Sequence, residues 1–515
     1  MKEDSTHRIS TFSDALPSGW ASATVGELVG RDGLFVDGDW VESKDQDPWG
    51  DVRLIQLADV GDGAYLNKSN RSLTNSKAIE LRCTFLKPDD LLIARMPEPL
   101  GRACIFPGDS KPCITVVDVC IVRTGVRGAS KHWLMHAINS LAVRSVIEGL
   151  QSGSTRKRIS RSNLAKLEVP LPPLPEQHRI VAKIEELFTR LDAGVEALKK
   201  IKAQLKRYRQ SVLKHAFQGK LTEEWRQTHK DDLEPASVLL EHIKQERQKT
   251  AKGKYKEIPS LDTSNLPELP DGWVWARVGD MSVVMGGKRL PKGHQYADVD
   301  TGMPYIRVTD FRNMTVDMTN LKFLKQETKG LISRYTISRE DLYISIAGSI
   351  GKVGTVPDRL DDANLTENAA KITDLHNDKR YMCYVLNSSF CREQILRLIV
   401  SSNQPKLALF RIEQIVFPLN PPSEQHQIVS EIERRFSVAD AIEKNVDQSL
   451  KQAERLRQSI LKRAFEGKLV PQNPNDEPAE KLLERIRQER ARQQAEREPA
   501  KSSRSKLNTK RMRLV

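Results

Sequence analysis

The sequence predicts an α+β protein in which two mixed α/β domains are separated by two long helices packed as an antiparallel coiled coil, with an internal pseudo-two-fold repeat. Three observations predict it. Residues 176–221 recur as residues 424–469 at a constant offset of 248, with 22 identities over 46 positions and no gap. Both copies carry apolar residues in a sustained 4-3 alternation, the pattern of a narrow helical seam. The stretches before them instead hold short β-rich runs broken by Gly, Pro and Asp. A period of 248 residues is far too long for a solenoid, so the chain reads as a tandem duplication.

In chain order, the first variable domain occupies residues 1–170. Its runs VRLIQLADV, ACIFP and CITVVDVCIVR read as strands, and KHWLMHAINSLAVRSVIEGL as a helical stretch. Residues 171–268 form a central helical region and a linker. PLPPLPEQ holds an extended lead-in, because proline restricts the residue before it, and Glu176 falls in the first turn, where the helix dipole favours an anion. Apolar residues follow at 180, 184, 187, 191, 198, 201, 205, 208 and 212, and Gly219 is a suitable C-terminal stop. A helix of about 40 residues is ~60 Å long. Its seam suits a coiled-coil partner, and the internal duplicate brings a complementary one.

The second variable domain, residues 269–418, repeats the entry to the first: LPSGWASATVGEL at 16–28 returns as LPDGWVWARVGDM at 269–281. Beyond that a sparse skeleton persists. Ile55 and Asp59 match Ile306 and Asp310, and Asp90-Leu91 matches Asp341-Leu342. MPYIRVTDF, DLYISIAG and GKVGTVP read as strands and RYMCYVLNSSFCREQILRLIV as a helical stretch. Residues 419–490 are the distal helical region, with Arg435 and Ser449 in place of seam residues and Gly467 as its stop. EPASVLLEHIKQER at 234–247 returns there as EPAEKLLERIRQER at 477–490. Residues 491–515 are expected to be a basic, disordered tail.

Composition narrows the function. The 515 residues are 38% apolar and 29% charged, with a mean hydropathy of −0.51. No stretch approaches the roughly 18 uncharged apolar residues of a membrane span, and MKEDSTHRISTF has no apolar core of a signal peptide, so a cytoplasmic location is expected. The six cysteines form no CxxC pair and read as buried thiols. The net charge of +14 sits largely in the tail: residues 481–515 hold 12 Lys and Arg against 4 Asp and Glu. The variable regions are near balance, 20 against 18 over 20–170 and 20 against 17 over 269–418. Global charge therefore locates no nucleic-acid face.

Catalytic look-alikes fail on chemistry. His132 and His136 are four apart, but Trp133 stands where a zinc protease needs its glutamate base. Gly348 and Gly351 in GSIGK are too close for a phosphate loop, and Val353 replaces the magnesium-binding Ser or Thr, so the segment reads as a turn. Asn420-Pro421-Pro422 lacks the aromatic of an adenine-methyltransferase motif, Ser423 standing in its place, and no Gly-rich cofactor turn accompanies it. Pro88-Asp89, Pro270-Asp271 and Pro357-Asp358 lack the acidic-x-Lys partner of a nuclease centre.

Two divergent domains alternate with two near-identical helices, and short motifs frame each helix. The first is entered by Pro170-Leu171-Pro172-Pro173 with Glu176-Gln177 and closed by Ala216-Phe217 with Gly219-Lys220-Leu221. The second has Pro418-Leu419, Pro421, Glu424-Gln425, Ala464-Phe465 and Gly467-Lys468-Leu469. This layout, with Leu91-Leu92-Ile93-Ala94-Arg95 and Leu342-Tyr343-Ile344-Ser345 in the variable domains, resembles the specificity (S) subunit of type I restriction–modification systems to about residue 490. The resemblance implies that the variable domains are target-recognition domains, each reading one half of a bipartite double-stranded DNA target. It implies that the helices set the half-site spacing and dock two modification subunits, which bind S-adenosylmethionine and methylate adenine at N6. Restriction subunits using ATP and magnesium join to cleave. The chain itself is then a non-enzymatic adaptor with no cofactor of its own.

Specificity needs side chains at base edges, whereas phosphate contacts set register. Candidate DNA contacts in the first domain are Arg53, Arg95, Arg102 and the run Arg156-Lys157-Arg158. In the second they are Lys288, Arg289, Lys292, Arg307, Arg312, Lys352 and Lys406. GGKRLPKG and STRKR stand out, because glycine lets backbone approach DNA and the charges are grouped. Divergence between the domains predicts an asymmetric target, since identical readers would give a palindrome. The alternative reading, a coiled-coil scaffold that binds no DNA, leaves two α/β domains without work.

Overall fold

The run LLIA at 91–94 is apolar at every position, as a strand covered on both faces must be, and each of its residues is buried. It lies inside a four-stranded antiparallel sheet in the order Leu34–Asp37, Val119–Arg123, Leu91–Ala94, Ala103–Ile105. The register pairs Leu91 with Val122 on one side and with Ile105 on the other. The structure, a computed structural model, describes residues 8–12, 15–30, 32–125, 128–153, 156–250, 260–399 and 405–492. The chain divides into two compact units, residues 1–198 with 448–515 and residues 199–447. Each gathers one variable domain and part of both long helices. The tail lies outside the described residues from 493 onward; 491 and 492 are helical, continuous with 479–490.

The first unit adds a three-stranded sheet in which Val52–Ile55 pairs in parallel with Cys113–Thr115 and antiparallel with Ser72–Leu73. The second unit repeats this plan. Its four-stranded sheet runs Val283–Gly286, Ala369–Thr373, Leu342–Ser345, Val353–Thr355, and Pro304–Ile306 pairs in parallel with Ala363–Leu365. The sparse sequence skeleton marks the joints of this shared plan. Asp59 is buried and accepts from the backbone of Gln56, Lys68 and Ser69 at 2.6–2.8 Å. Asp310 accepts from the backbone and guanidinium of Arg307 at 2.8 and 2.7 Å. Asp90 and Asp341 each cap the turn entering the central strand, accepting from Lys87 N and Ser338 N at 2.8 Å. A buried carboxylate with several donors is costly to replace, so these positions persist where their surroundings drift.

Both helical stretches of the variable domains are broken in two. The segments are Lys131–Asn139 and Leu141–Gly149, and Lys379–Leu386 and Ser389–Arg397. Ser140 and Ser388 sit in extended backbone at the breaks, and Ser388 Oγ caps the following helix at Cys391 N. Serine competes for backbone hydrogen bonds, which ends one helix and starts the next.

The long helices are Leu174–Phe217 and Pro422–Phe465. Each opens behind a strand of its lead-in, Leu167–Leu171 paired with Ala21–Thr24 and Val416–Leu419 paired with Val274–Arg277. Gln177 donates to Pro172 O at 2.8 Å and accepts from Ser130 N at 2.9 Å. Gln425 likewise donates to Asn420 O at 2.9 Å and accepts from Asp378 N at 3.1 Å. Ser130 and Asp378 are the N-caps of the helices Lys131–Asn139 and Lys379–Leu386, so each glutamine ties a long helix to its neighbouring domain. At the far ends Gly219 and Gly467 have φ of +73° and +70°. A Cβ there would lie 2.3 Å from Pro270 Cγ and 2.6 Å from Pro17 Cγ, so only glycine lets the turn close on the LP-x-GW segment.

Within the first unit, Ile180 and Ile184 pack in one core with Ile460, Leu461 and Ala464, and Asp192 pairs with Arg457. Within the second, Val212, Leu213, Ala216 and Phe217 pack with Ile428, Val429, Ile432 and Phe436. Lys202 there meets Asp447 at 2.7 Å and Arg209 meets Asp440 at 2.6 Å, the falling numbers of an antiparallel pair. The seam is less continuous than its periodicity predicts. Ile201 and Tyr208 remain 37% and 41% exposed, and along that part of the helix pair the ion pairs of Lys202 and Arg209 make the contact.

Candidate nucleic-acid interface

In each variable domain the central strand and its hairpin partner meet in a turn, and a second segment is stitched alongside. In the first unit the turn is 95–102. Ile159 N donates to Arg95 O at 3.1 Å, Arg95 Nε donates to Ile159 O at 2.9 Å, and Arg158 pairs with Asp118 at 2.6 Å. In the second the turn is 346–352. Leu407 N donates to Ile346 O at 2.9 Å, and Lys406 bridges Ala347. Arg158 and Lys406 are separated by the repeat offset of 248, so the duplicated fold brings a cation to the same place twice.

Arg156 and Lys157 are exposed just before this stitch, and Lys352 and Lys406 are exposed in the second unit. Lys352 Nζ reaches Phe311 O at 3.3 Å, next to Arg312, which pairs with Asp317 at 3.3 Å. Arg307 stands nearby on the same hairpin base, with Asp310 at 2.7 Å and Asn320 O at 2.9 Å. A second group forms on GGKRLPKG. Lys288 lies 5.4 Å over the Tyr335 ring, Arg289 pairs with Glu367 at 2.8 Å, and Lys292 is exposed. The Glu367 carboxylate raises the Arg289 pKa and holds the guanidinium at the surface with its remaining donors free for an incoming acceptor. GSIGK is a turn, with φ of +72° at Gly348 and +85° at Gly351.

Arg95 and Arg102 are placed differently. They are 9% and 8% exposed. Arg95 spends its donors on Ile159 O, Val117 O and Asp37. Arg102 gathers the carbonyls of Val60, Leu57 and Pro99, and burial, with the like charge of Arg144, pushes its pKa down. Both guanidiniums therefore close the turn from inside, and these two candidate contacts spend their donors on the protein's own acceptors. Arg53 is half-buried among Asp109, Asn67 and Ser69 O.

The repeated motif is architectural. Glu176, Gln177, Glu424 and Gln425 are all buried. Glu176 accepts from Trp20 Nε1 at 3.1 Å, whereas Glu424 accepts from Trp273 Nε1 at 2.7 Å, Thr222 Oγ1 at 2.7 Å and Arg226 Nε at 3.0 Å. Leu221 and Leu469 pack against the cores of their units while Lys220 and Lys468 are exposed. The tryptophans were visible in the repeated LP-x-GW motif, but nothing local announces Tyr335 beneath Lys288. Among the described residues no cluster of side chains can hold a metal ion and no helix is long and apolar enough to cross a membrane. The cysteines are free, five of the six buried.

Residues 131–207 and 270–452, together half of the chain, match the family described as the type I restriction modification DNA specificity domain. The chain is 28% identical over 452 residues to the type I restriction enzyme EcoBI specificity subunit of Escherichia coli, covering 85% of this chain and 86% of that one. It is also 28% identical over 383 residues to the EcoKI specificity subunit of Escherichia coli strain K12, covering 70% and 72%. A chain from a structure of the assembly and conformational transition of a type I restriction–modification system shares the fold. Its TM-score is 0.58 at 18% identity, over 88% of this chain and all of the other.

Proposed function

The chain belongs to the type I restriction–modification DNA specificity family, and from that premise we propose that it is the DNA-reading subunit of such a system. Each variable domain reads one half of a bipartite, asymmetric duplex target, and the two long helices set the spacing between the halves. The family match across both repeats carries this reading, and the shared sheet order with unlike loops supports it. Two domains built alike but lined differently recognise different half-sites. Arg156, Lys157 and Lys406 serve as phosphate contacts at equivalent hairpin turns, while the exposed Lys288 and Arg289 group supplies further contacts in the second unit.

The chain performs no chemistry itself. Two modification subunits dock on the helices, bind S-adenosylmethionine and methylate adenine at N6; restriction subunits with ATP and magnesium supply cleavage. Exposed apolar side chains on helix surfaces, Ile201, Tyr208, Val438 and Ile442 in the second unit and Leu456 in the first, support such docking. The decisive experiment co-expresses the chain with the modification subunit encoded beside it in a host lacking adenine methylation and maps N6-methyladenine. One bipartite, asymmetric motif is the expected result. A palindrome would remove the two-reader part of the proposal, and absence of any motif would remove the whole.

A further inference from the structure

Loop 38–51 of the first unit, GDWVESKDQDPWGD, joins strand Leu34–Asp37 to strand Val52–Ile55 and leaves Trp40 67% and Trp49 93% exposed. The loop is held firmly along its length. Gly38 N donates to Val119 O at 2.9 Å, Asp39 N to Thr115 O at 2.7 Å, Asp47 N to Ser72 O at 2.9 Å, and Asn75 N to Asp51 at 2.7 Å. Directly behind Trp49, a Cβ on Gly50 would lie 2.3 Å from the Leu73 backbone, so the chain is pinned there. Trp40 Nε1 donates to Glu42 at 3.3 Å and Trp49 N to Asp47 at 2.9 Å. Two large aromatic side chains are thus presented on a backbone that is already ordered, which lowers the cost of using them in an interface.

The charge of the loop says what it meets. Asp39, Glu42, Asp45, Asp47 and Asp51 stand against Lys44 alone, a net −4. Lys44 is itself paired with Glu42 at 2.8 Å. The equivalent connection of the second unit, 287–303 between Val283–Gly286 and Pro304–Ile306, carries Lys288, Arg289 and Lys292 against Asp298 and Asp300, a net +1. A phosphate backbone is repelled by the first of these loops and attracted by the second. Exposed indoles on a loop rich in carboxylates suit a guanidinium or ammonium, which gains cation–π contact and ion pairing together.

We propose that loop 38–51 is a protein-docking surface that receives a basic, arginine-bearing face of the modification subunit, with Trp40 and Trp49 as its anchors. The inference rests on the assembly reading above. An enzyme that acts on DNA is rich in Lys and Arg around its phosphate face, and those beyond the DNA footprint complement this loop. Docking on one domain but not its counterpart makes the two modification-subunit positions unequal.

The test measures association of the full chain with its modification subunit, and, in parallel, binding of the chain to a duplex carrying the mapped target. The variants are Trp49→Ala, Trp40→Ala and Glu42→Gln with Asp45→Asn, whose amides keep the acceptor oxygens. Trp49→Ala weakens association tenfold or more with Tm and DNA affinity unchanged. The paired amide variant weakens it several-fold and flattens its salt dependence. Association within twofold of wild type in all three overturns the inference. So does a loss of DNA affinity with association intact, which makes the loop a DNA contact. A wild-type chain that does not join the modification subunit overturns the functional reading and this inference with it.

Discussion

Glu176 and Glu424 occupy the same repeat position with different partners. Glu424 is fully buried and meets Arg226, Thr222 and Trp273, while Glu176 has Trp20 alone at one oxygen and none at the other. Burial pushes the Glu176 pKa up, against the opposing Trp20 hydrogen bond and the nearby Arg179 charge. Glu424→Gln strands the Arg226 charge and costs about 3 kcal/mol; Glu176→Gln costs below about 1 kcal/mol. Urea unfolding of the two variants separates these values. A second asymmetry lies in His136, 5% exposed, with Nε2 unpartnered. Burial, with His132 and Arg457 adding like charge, pushes its pKa down to about 4. Between the ordinary value of 6.5 and 4 the unfolded chain binds a proton that the folded unit refuses. Stability therefore rises with pH across that window, and acidification through it removes up to ~3 kcal/mol. His136→Leu shrinks the drop in urea midpoint between pH 7 and pH 5; an unchanged drop excludes this histidine as its source.

At the scale of elements, the periodicity identified both long helices but overstated the evenness of their seam. Ile184→Ala opens a fully buried site and costs about 3 kcal/mol. Ile201→Ala, at a half-open position of the same register, costs less than about 1 kcal/mol. Thermal unfolding of both variants checks the contrast. Gly467→Ala adds a Cβ at φ +70° against Pro17 and destabilises by more than about 1 kcal/mol. The strands of the variable domains were legible where a run such as DLYISIAG is buried on both faces. The two-residue strands Ser72–Leu73 and Thr336–Ile337 were not, since they exist only through their partners. The breaks inside the two helical stretches were not legible, because Ser140 and Ser388 differ from tolerated helix serines only in where the next helix is held.

For the whole molecule, the functional reading makes a symmetry prediction. Replacing residues 269–418 with a second copy of the first variable domain converts the asymmetric target into a palindrome, read out by mapping N6-methyladenine. Removing Arg156 and Lys157 together weakens DNA binding on all sequences and lowers the salt slope by about 2. A change in target preference instead would make them base readers. The duplication, the two helix lengths, their stops and the alternation with two divergent domains follow from the sequence by itself, because periodicity and self-similarity are properties of the string. Which arginines reach the surface was decided by tertiary structure alone. Arg95 and Arg102 frame a turn and read locally like Arg156, yet their guanidiniums close on carbonyls contributed by residues up to 64 positions away. Strand pairing brings those acceptors within reach, and no local pattern of residue types encodes which partners a folded sheet will bring.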